Sequence, residues 1–353
     1  RVINTPVFYI PYIVTPSPLR KERKSGFLSP SLSLNFFDTK TSQSTSFPYY
    51  FNISLDKELL FTPIINYGGG VDASQRFIFD YNQILSGGNL KYNLTFDSNL
   101  EKQNNNEWFT DASLITKYNK NINKNYKIKI DSALQTSKNY IQITKPNDDL
   151  SYSTSLKSDF KIEGFNLRKI DDYLDVSLNF YQTNQENEDN KTTPTVFPKI
   201  KYHTGYFNKN GNISNSTYEF YNISREKSNL VHAKNQQKIS HKYNIKKEFI
   251  NYNSKILLNA EIYNQGFKTE KKLIEGNHYK TGSYYRFFPI FGIGSETPLK
   301  IKKYFPNLTL NPKINLVLAP GISNSNKLSN EDSTNNDFSI ENIDRLNRYS
   351  GSD

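Results

Sequence analysis

The chain has 353 residues, 45 Lys and Arg against 34 Asp and Glu, a net charge of +11 and only 35% hydrophobic residues. A soluble domain usually carries nearly half, yet 25 Tyr and 24 Phe argue against simple disorder. No run of about 18 apolar residues exists, which excludes a transmembrane helix, whereas many aromatics on a polar chain suit an outer-membrane β-barrel with a lipid side, a wet side and aromatic girdles. The charge has two open readings: heavy use of Lys and Asn throughout, or an anionic cargo or lipid surface. The lack of cysteine says little about compartment. With no Met and no charged-then-apolar leader, the chain is expected to be a piece of a longer protein.

The chain opens on an aromatic, β-branched run broken by prolines (Pro6 to Pro30). A basic knot at Arg20, Lys21, Arg23 and Lys24 lies within it, then Gly26. This reads as a short module handing over to a large β-architecture. The first strand is expected at Phe27–Phe37 and the second at Phe47–Leu55. Pro30 and Pro48 fall on these two strands, and proline removes a ladder donor. In a closed barrel they would weaken the seam. The other reading is routine strand punctuation, since Pro289 and Pro312 also occur in strand-like segments.

Further on, period-2 alternation recurs. Leu90, Tyr92, Leu94 and Phe96 alternate with Lys91, Asn93, Thr95 and Asp97. Tyr126, Ile128, Ile130 and Leu134 oppose Lys127, Lys129 and Asp131. Leu174, Val176, Leu178 and Phe180 oppose Asp175, Ser177 and Asn179. Ile256, Leu258, Ala260 and Ile262 oppose Lys255, Asn259 and Glu261. One strand is expected over Leu308–Leu318. Alternation alone does not separate a barrel wall from a sandwich. Connection lengths do: tight turns at Asn121–Asn125 and Lys209–Asn212 alternate with long polar loops at Ser98–Glu107, Ser137–Asp149, Gln185–Thr195 and Ser224–Asn235. About fifteen strands are expected, since a strand of roughly 10 residues with its share of turn and loop takes about 22 residues. The lumen-facing set is then Lys91, Asn93, Asp97, Lys127, Lys129, Asp175, Lys255 and Glu261.

Chemistry-bearing motifs are sparse. His203, His232, His241 and His278 have no partner at metal-ligand spacing, so no metal or other cofactor is expected. No Gly-x-Ser-x-Gly elbow or Cys nucleophile occurs. Gly292-x-Gly294 lacks the third glycine of a dinucleotide loop, and Gly68-Gly69-Gly70 reads as a loop tip. Carboxylates spread over several loops would leave no local motif, so an outer-membrane hydrolase stays open, as does a porin or siderophore receptor.

Four passages resemble the LPS-assembly LptD family, also called organic solvent tolerance or OstA. Pro6–Tyr12 followed by Arg23-Lys24-Ser25-Gly26 and Phe27–Pro30 resembles its junction between periplasmic domain and barrel. Pro48–Ile53 resembles its second strand, with Phe51 where the family usually has Trp. Phe288-Pro289 with Gly292-Ile293-Gly294 resembles a mid-barrel strand, and Asn330–Ser333 with Asn347–Gly351 resembles a long outer loop. The resemblance implies an antiparallel all-β transmembrane barrel, here partial, preceded by the end of a periplasmic β-jelly-roll. Residues 1–24 would end the jelly-roll and form the junction, 25–320 would begin the barrel, and 321–353 would be an extracellular loop. It implies a Gram-negative outer-membrane translocon, not an enzyme, that inserts lipopolysaccharide into the outer leaflet. Implied partners are lipopolysaccharide, an LptE-like lipoprotein in the lumen, a periplasmic LptA-like bridge and outer-membrane lipid, with no nucleic acid. Cargo would leave by a lateral gap beside the first strand, where Pro30 and Pro48 match two family prolines.

Overall fold

The computed structural model describes residues 23–37, 40–68, 74–99, 109–274, 278–300, 309–321, 328–329, 331 and 346–347. The strands, in chain order, are β1 (Gly26–Phe27), β2 (Ser31–Phe37), β3 (Lys40–Ser46), β4 (Tyr49–Ser54), β5 (Lys57–Gly68), β6 (Ser74–Leu85), β7 (Gly88–Asn99), β8 (Phe109–Asn121), β9 (Tyr126–Gln135) and β10 (Ser155–Phe165). They continue with β11 (Tyr173–Thr183), β12 (Thr195–His203), β13 (Phe207–Lys209), β14 (Asn212–Ser224), β15 (Asn235–Asn251), β16 (Ser254–Ile274), β17 (His278–Glu296), β18 (Leu299–Lys300), β19 (Thr309–Leu310) and β20 (Lys313–Leu318). Eighteen of them belong to one sheet, and β18 with β19 forms a two-stranded ribbon. Counting β1–β2, β3–β4 and β12–β13 each as one interrupted strand leaves fifteen. Two compact units are present, the first built on β1–β9, the start of β10 and the end of β11, the second on the end of β10, most of β11 and β12–β20.

In the first unit, adjacent strands pair antiparallel from β1–β4 and β2–β3 through β8–β9. Strict register sorts the side chains onto two faces. Phe61, Phe79, Leu94 and Leu114 lie in one row, and Phe77, Phe96 and Ala112 in the next. The rings meet in tilted pairs, Phe61 with Phe79 at 4.7 Å and Phe77 with Phe96 at 5.1 Å between centroids. The opposite face holds Arg76 with Asp97, Asp80 with Asn93, and Asn82 with Lys91. A short helix, α1 (Tyr140–Thr144), and a 3-10 turn (Asp149–Tyr152) fold onto this polar face. Ile141 and Leu156 are fully buried there with Ala133, and Ile115 and Leu150 pack beside them.

In the second unit, β14, β15, β16 and β17 form long antiparallel ribbons. Two-residue turns join β13 to β14 and β15 to β16. Asn210-Gly211 has φ of 53° and 75°, and Tyr252-Asn253 has 47° and 63°. Positive φ at both central residues matches the twist of the flanking strands. Again the faces separate: Ile239, Phe249, Leu258, Phe287, Phe291 and Ile293 are exposed, while Lys238, Glu261, Gln265 and Arg286 on the other face are buried. Among the described residues, 21 polar and 10 hydrophobic side chains are buried. A water-soluble sandwich would show the reverse.

Several sequence expectations need correction. The expected first strand is split by a break at residues 28–30, and the second is preceded by a strand, β3, that the sequence reading missed. Within the last expected strand, the described residues form two strands, Thr309–Leu310 and Lys313–Leu318, separated at Pro312, which cannot donate to a ladder. The loop Ser137–Asp149 holds a helix.

Candidate functional site

Pro30 and Pro48 sit in two breaks that face each other. Phe27 pairs with Tyr49 below the breaks, and Ser31 pairs with Ser46 above them. Three residues of one strand therefore span the same gap as two of its neighbour. Leu28 N–H donates to Pro48 O at 2.9 Å, and Phe47 N–H to Pro63 O at 3.1 Å. In an antiparallel ladder a residue's N–H and C=O point to the same neighbour. The missing donor of Pro48 thus faces the first strand, and that of Pro63 faces the break at Phe47-Pro48. Pro63 is a third proline at this level that the sequence reading passed over, since β5 runs through it unbroken. Among the described pairings, β2 is bonded on one side only, to β3.

The junction residues fasten this end of the sheet. Arg23 Nη1 donates to Glu58 Oε2 at 2.9 Å, and Tyr50 OH donates to the same oxygen at 2.9 Å. Asn52 Nδ2 donates to Arg23 O at 2.9 Å, and Asn52 N–H to Ser25 Oγ at 2.8 Å. Gly26 begins β1, opposite Tyr50. Lys24 is exposed. Pro6–Tyr12, Asn330, Asp332, Ser333 and Arg348–Gly351 lie outside the described residues.

Within the first unit, Lys91, Asn93, Asp97, Lys127 and Lys129 share the polar face. Asp97 accepts two hydrogen bonds from Arg76, at 2.7 and 2.9 Å, and one from Tyr140 OH at 2.8 Å. Asn93 meets Asp80 and Lys145. Ile141 N–H donates to Gln135 Oε1 at 3.0 Å. These contacts hold the α1 segment against the strands. Glu58, Asp80, Asn82, Lys91, Asn93 and Lys117 line a cavity of about 400 Å³ beside it.

Within the second unit, Asp175, Lys255 and Glu261 also share one face. Lys161 lies 3.3 Å from Asp175, Lys255 lies 2.9 Å from Glu248, and Lys242 lies 2.9 Å from Glu261. A clamp missed by sequence reading closes on this unit. Arg225 grips Glu331 with Nη1 to Oε1 at 2.9 Å and Nη2 to Oε2 at 2.5 Å, both side chains almost fully buried at 4% and 1% exposure. Arg225 also donates to Ala233 O at 3.0 Å and Thr192 O at 3.1 Å. His232 Nδ1 lies 3.6 Å from Glu331 Oε2, and Ala233 N–H donates to Ser329 Oγ at 2.8 Å. Burial would push the Glu331 carboxyl up, but the neighbouring His232 ring and the paired Arg225 guanidinium outweigh it and hold it below the usual range. Elsewhere in this unit, Leu346 lies where a Cβ on Gly292 would stand, so the Gly292-Ile293-Gly294 motif makes room for an overlying side chain.

Among the described residues, ion pairs such as Arg76 with Asp97 and Lys242 with Glu261 lie on the polar faces of the two units. Residues 112–353 match the family model LptD, LPS transport system D. LPS-assembly protein LptD of Shewanella sp. (strain ANA-3) is 39% identical over 93 residues, 26% of this chain and 12% of that protein. LPS-assembly protein LptD of Shewanella frigidimarina is 30% identical over 158 residues, 44% of this chain and 18% of that protein. LPS-assembly protein LptD of Hahella chejuensis is 25% identical over 162 residues, 46% of this chain and 20% of that protein. The chain thus aligns with a fifth or less of the length of these relatives, and by the match over more than half of its own residues it belongs to the LptD family.

Proposed function

We propose that this chain is part of an outer-membrane translocon that delivers lipopolysaccharide to the outer leaflet. Its strands form the wall of a transmembrane barrel, apolar face to lipid and polar face to a water-filled lumen. Residues 1–24 end a periplasmic β-jelly-roll, 25–320 begin the barrel and 321–353 belong to an extracellular loop. Lys91, Asn93, Asp97, Lys127, Lys129, Asp175, Lys255 and Glu261 line the lumen. Sugar passes along this wet side while acyl chains leave sideways through a gap next to the first strand, weakened at Pro30 and Pro48. An LptE-like lipoprotein inside the lumen and an LptA-like bridge feeding the jelly-roll are the partners. No bond is made or broken; the work is conduction of an amphiphile.

The observation that carries this reading is the pair of opposed proline breaks on strands that expose Phe27, Leu32, Leu34, Phe51 and Ile53. A porin, receptor or hydrolase has no need of a weakened first strand. The test is Pro30→Ala with Pro48→Ala in the full-length protein. Slower appearance of surface lipopolysaccharide and greater detergent sensitivity are expected, with folding and lipoprotein binding intact. Unchanged surface lipopolysaccharide in a folded double variant would make the prolines ordinary punctuation and remove the exit from this position.

A further inference from the structure

A cavity of about 580 Å³ opens on the polar face of the second unit, over β12–β16. Four amides line it, Asn208, Asn215, Asn244 and Asn259, with His203 and Tyr206. Lys242 and Lys246 also reach it, but their charge is committed: Lys242 to Glu261 at 2.9 Å, and Lys246 to Glu248. The imidazole is fixed as well, between Thr217 Oγ1 at 2.9 Å and Asn215 Nδ2 at 3.1 Å. Asn244 Nδ2 donates to Glu261 Oε1 at 3.0 Å, so what remains on offer is the rest of the amide chemistry and a ring. The Asn259 Oδ1 atom is buried and accepts no hydrogen bond from any described residue. Tyr206 presents a ring that is 62% exposed.

We infer that this cavity is a binding site for a neutral, hydroxyl-rich saccharide. An amide offers donor and acceptor side by side, which matches adjacent sugar hydroxyls that also do both. An exposed aromatic face covers the apolar C–H side of a sugar ring. A phosphate would instead need cations free of carboxylates, and both lysines here are neutralised. The buried acceptor of Asn259 gains a partner when a hydroxyl occupies the cavity, which removes the cost of an orphaned polar atom. The cavity lies beside the Asn210-Gly211 turn, at the short-turn end of the sheet. The inference deepens the transport reading and rests on it for the source of the sugar, the non-phosphorylated part of the lipopolysaccharide core.

The test uses the full-length protein in detergent and two probes, dephosphorylated lipopolysaccharide core oligosaccharide and inorganic phosphate. The oligosaccharide should bind, and Asn215→Leu with Asn259→Leu should weaken it about tenfold. Tyr206→Ala, at an exposed position, should weaken it a few-fold. Lys246→Gln should leave it unchanged. Phosphate binding that Lys246→Gln abolishes would overturn the inference in favour of an anion site. Failure of the oligosaccharide to bind, or equal binding by all variants, would overturn it too. So would binding that appears only after a lumenal lipoprotein is stripped away, since the natural occupant would then be protein. Binding is read without any transport step, so it can stand even where the proline variants leave surface lipopolysaccharide unchanged.

Discussion

Arg225 and Glu331 form a pair whose removal would cost far more than its presence gains. Two desolvated charges repay their burial only through good geometry, here two parallel hydrogen bonds. Glu331→Gln leaves a guanidinium buried at 4% exposure without a counter-charge, a loss of about 3–5 kcal/mol. Amide exchange at Ser329 and Ala233 should then accelerate sharply, and unchanged exchange would show that apolar packing holds this segment instead. The pH dependence has a definite sign. The folded carboxyl is held below its ordinary value of about 4.3. Its contribution is therefore fully present above about pH 4.3 and is lost as pH falls through the lower, folded value. Protection of the Ser329 amide, corrected for the intrinsic pH dependence of exchange, should fall on acidification below about pH 4.3 and be flat from pH 5 to 7. Only half of this clamp is legible in the sequence. The family-like Asn330–Ser333 motif points to Glu331, whereas Arg225 stands 106 residues earlier in a polar loop that carries no local signal.

At the scale of elements, period-2 patterning is what the sequence encodes most clearly, because one residue of slip would exchange the two faces. The strands β7, β9, β11 and β16 all contain the alternating segments that predict them. Leu94→Lys should cost roughly 2–4 kcal/mol if that face meets hydrocarbon. A spin label at Leu94 should be broadened by lipid-soluble oxygen and one at Asn93 spared; the opposite pattern would invert the sheet. Where both faces are polar the signal vanishes. The segment Lys40–Ser46, KTSQSTS, has no apolar set to alternate, so only pairing with β2 and β5 makes it a strand. The helix Tyr140–Thr144 is also illegible, being too short to form alone. Burial of Ile141 and the hydrogen bond from its N–H to Gln135 fix it from outside. Ile141→Ser should cost about 2–5 kcal/mol of local stability and release the segment from the polar face. In cells, entry of bulky hydrophilic antibiotics should increase. Unaltered entry with a released segment would mean that α1 does not obstruct the path.

For the molecule as a whole, the prolines define a line of weakness that no single strand reveals. The sequence places Pro30 and Pro48 on neighbouring strands, but only register shows that they are level and that Pro63 joins them. Two successive inter-strand seams each lack a donor at one height, because the imide nitrogens of Pro48 and Pro63 face the first and second strands in turn. Each missing ladder bond is worth about 0.5–1.5 kcal/mol. Together the two seams should open about 5- to 150-fold more readily than a fully bonded pair of the same length. Hydrogen exchange in the full-length protein reads this directly. The amides of Leu28 and Phe47, which hold the two remaining bonds across the breaks, should exchange much faster than those of Phe79 and Leu94 in the continuous β6–β7 ribbon. Pro63→Ala restores a donor without disturbing β6, since that nitrogen points away from it. The change should therefore slow exchange at Phe47 while leaving Phe79 as it was. Equal protection at all four amides would mean that the breaks are closed by other contacts. Slowing at Phe79 as well would assign Pro63 a general role in stability. A selective effect at Phe47 would locate the flexible hinge between the second and third strands, one strand further into the sheet than Pro30 and Pro48 alone would place it.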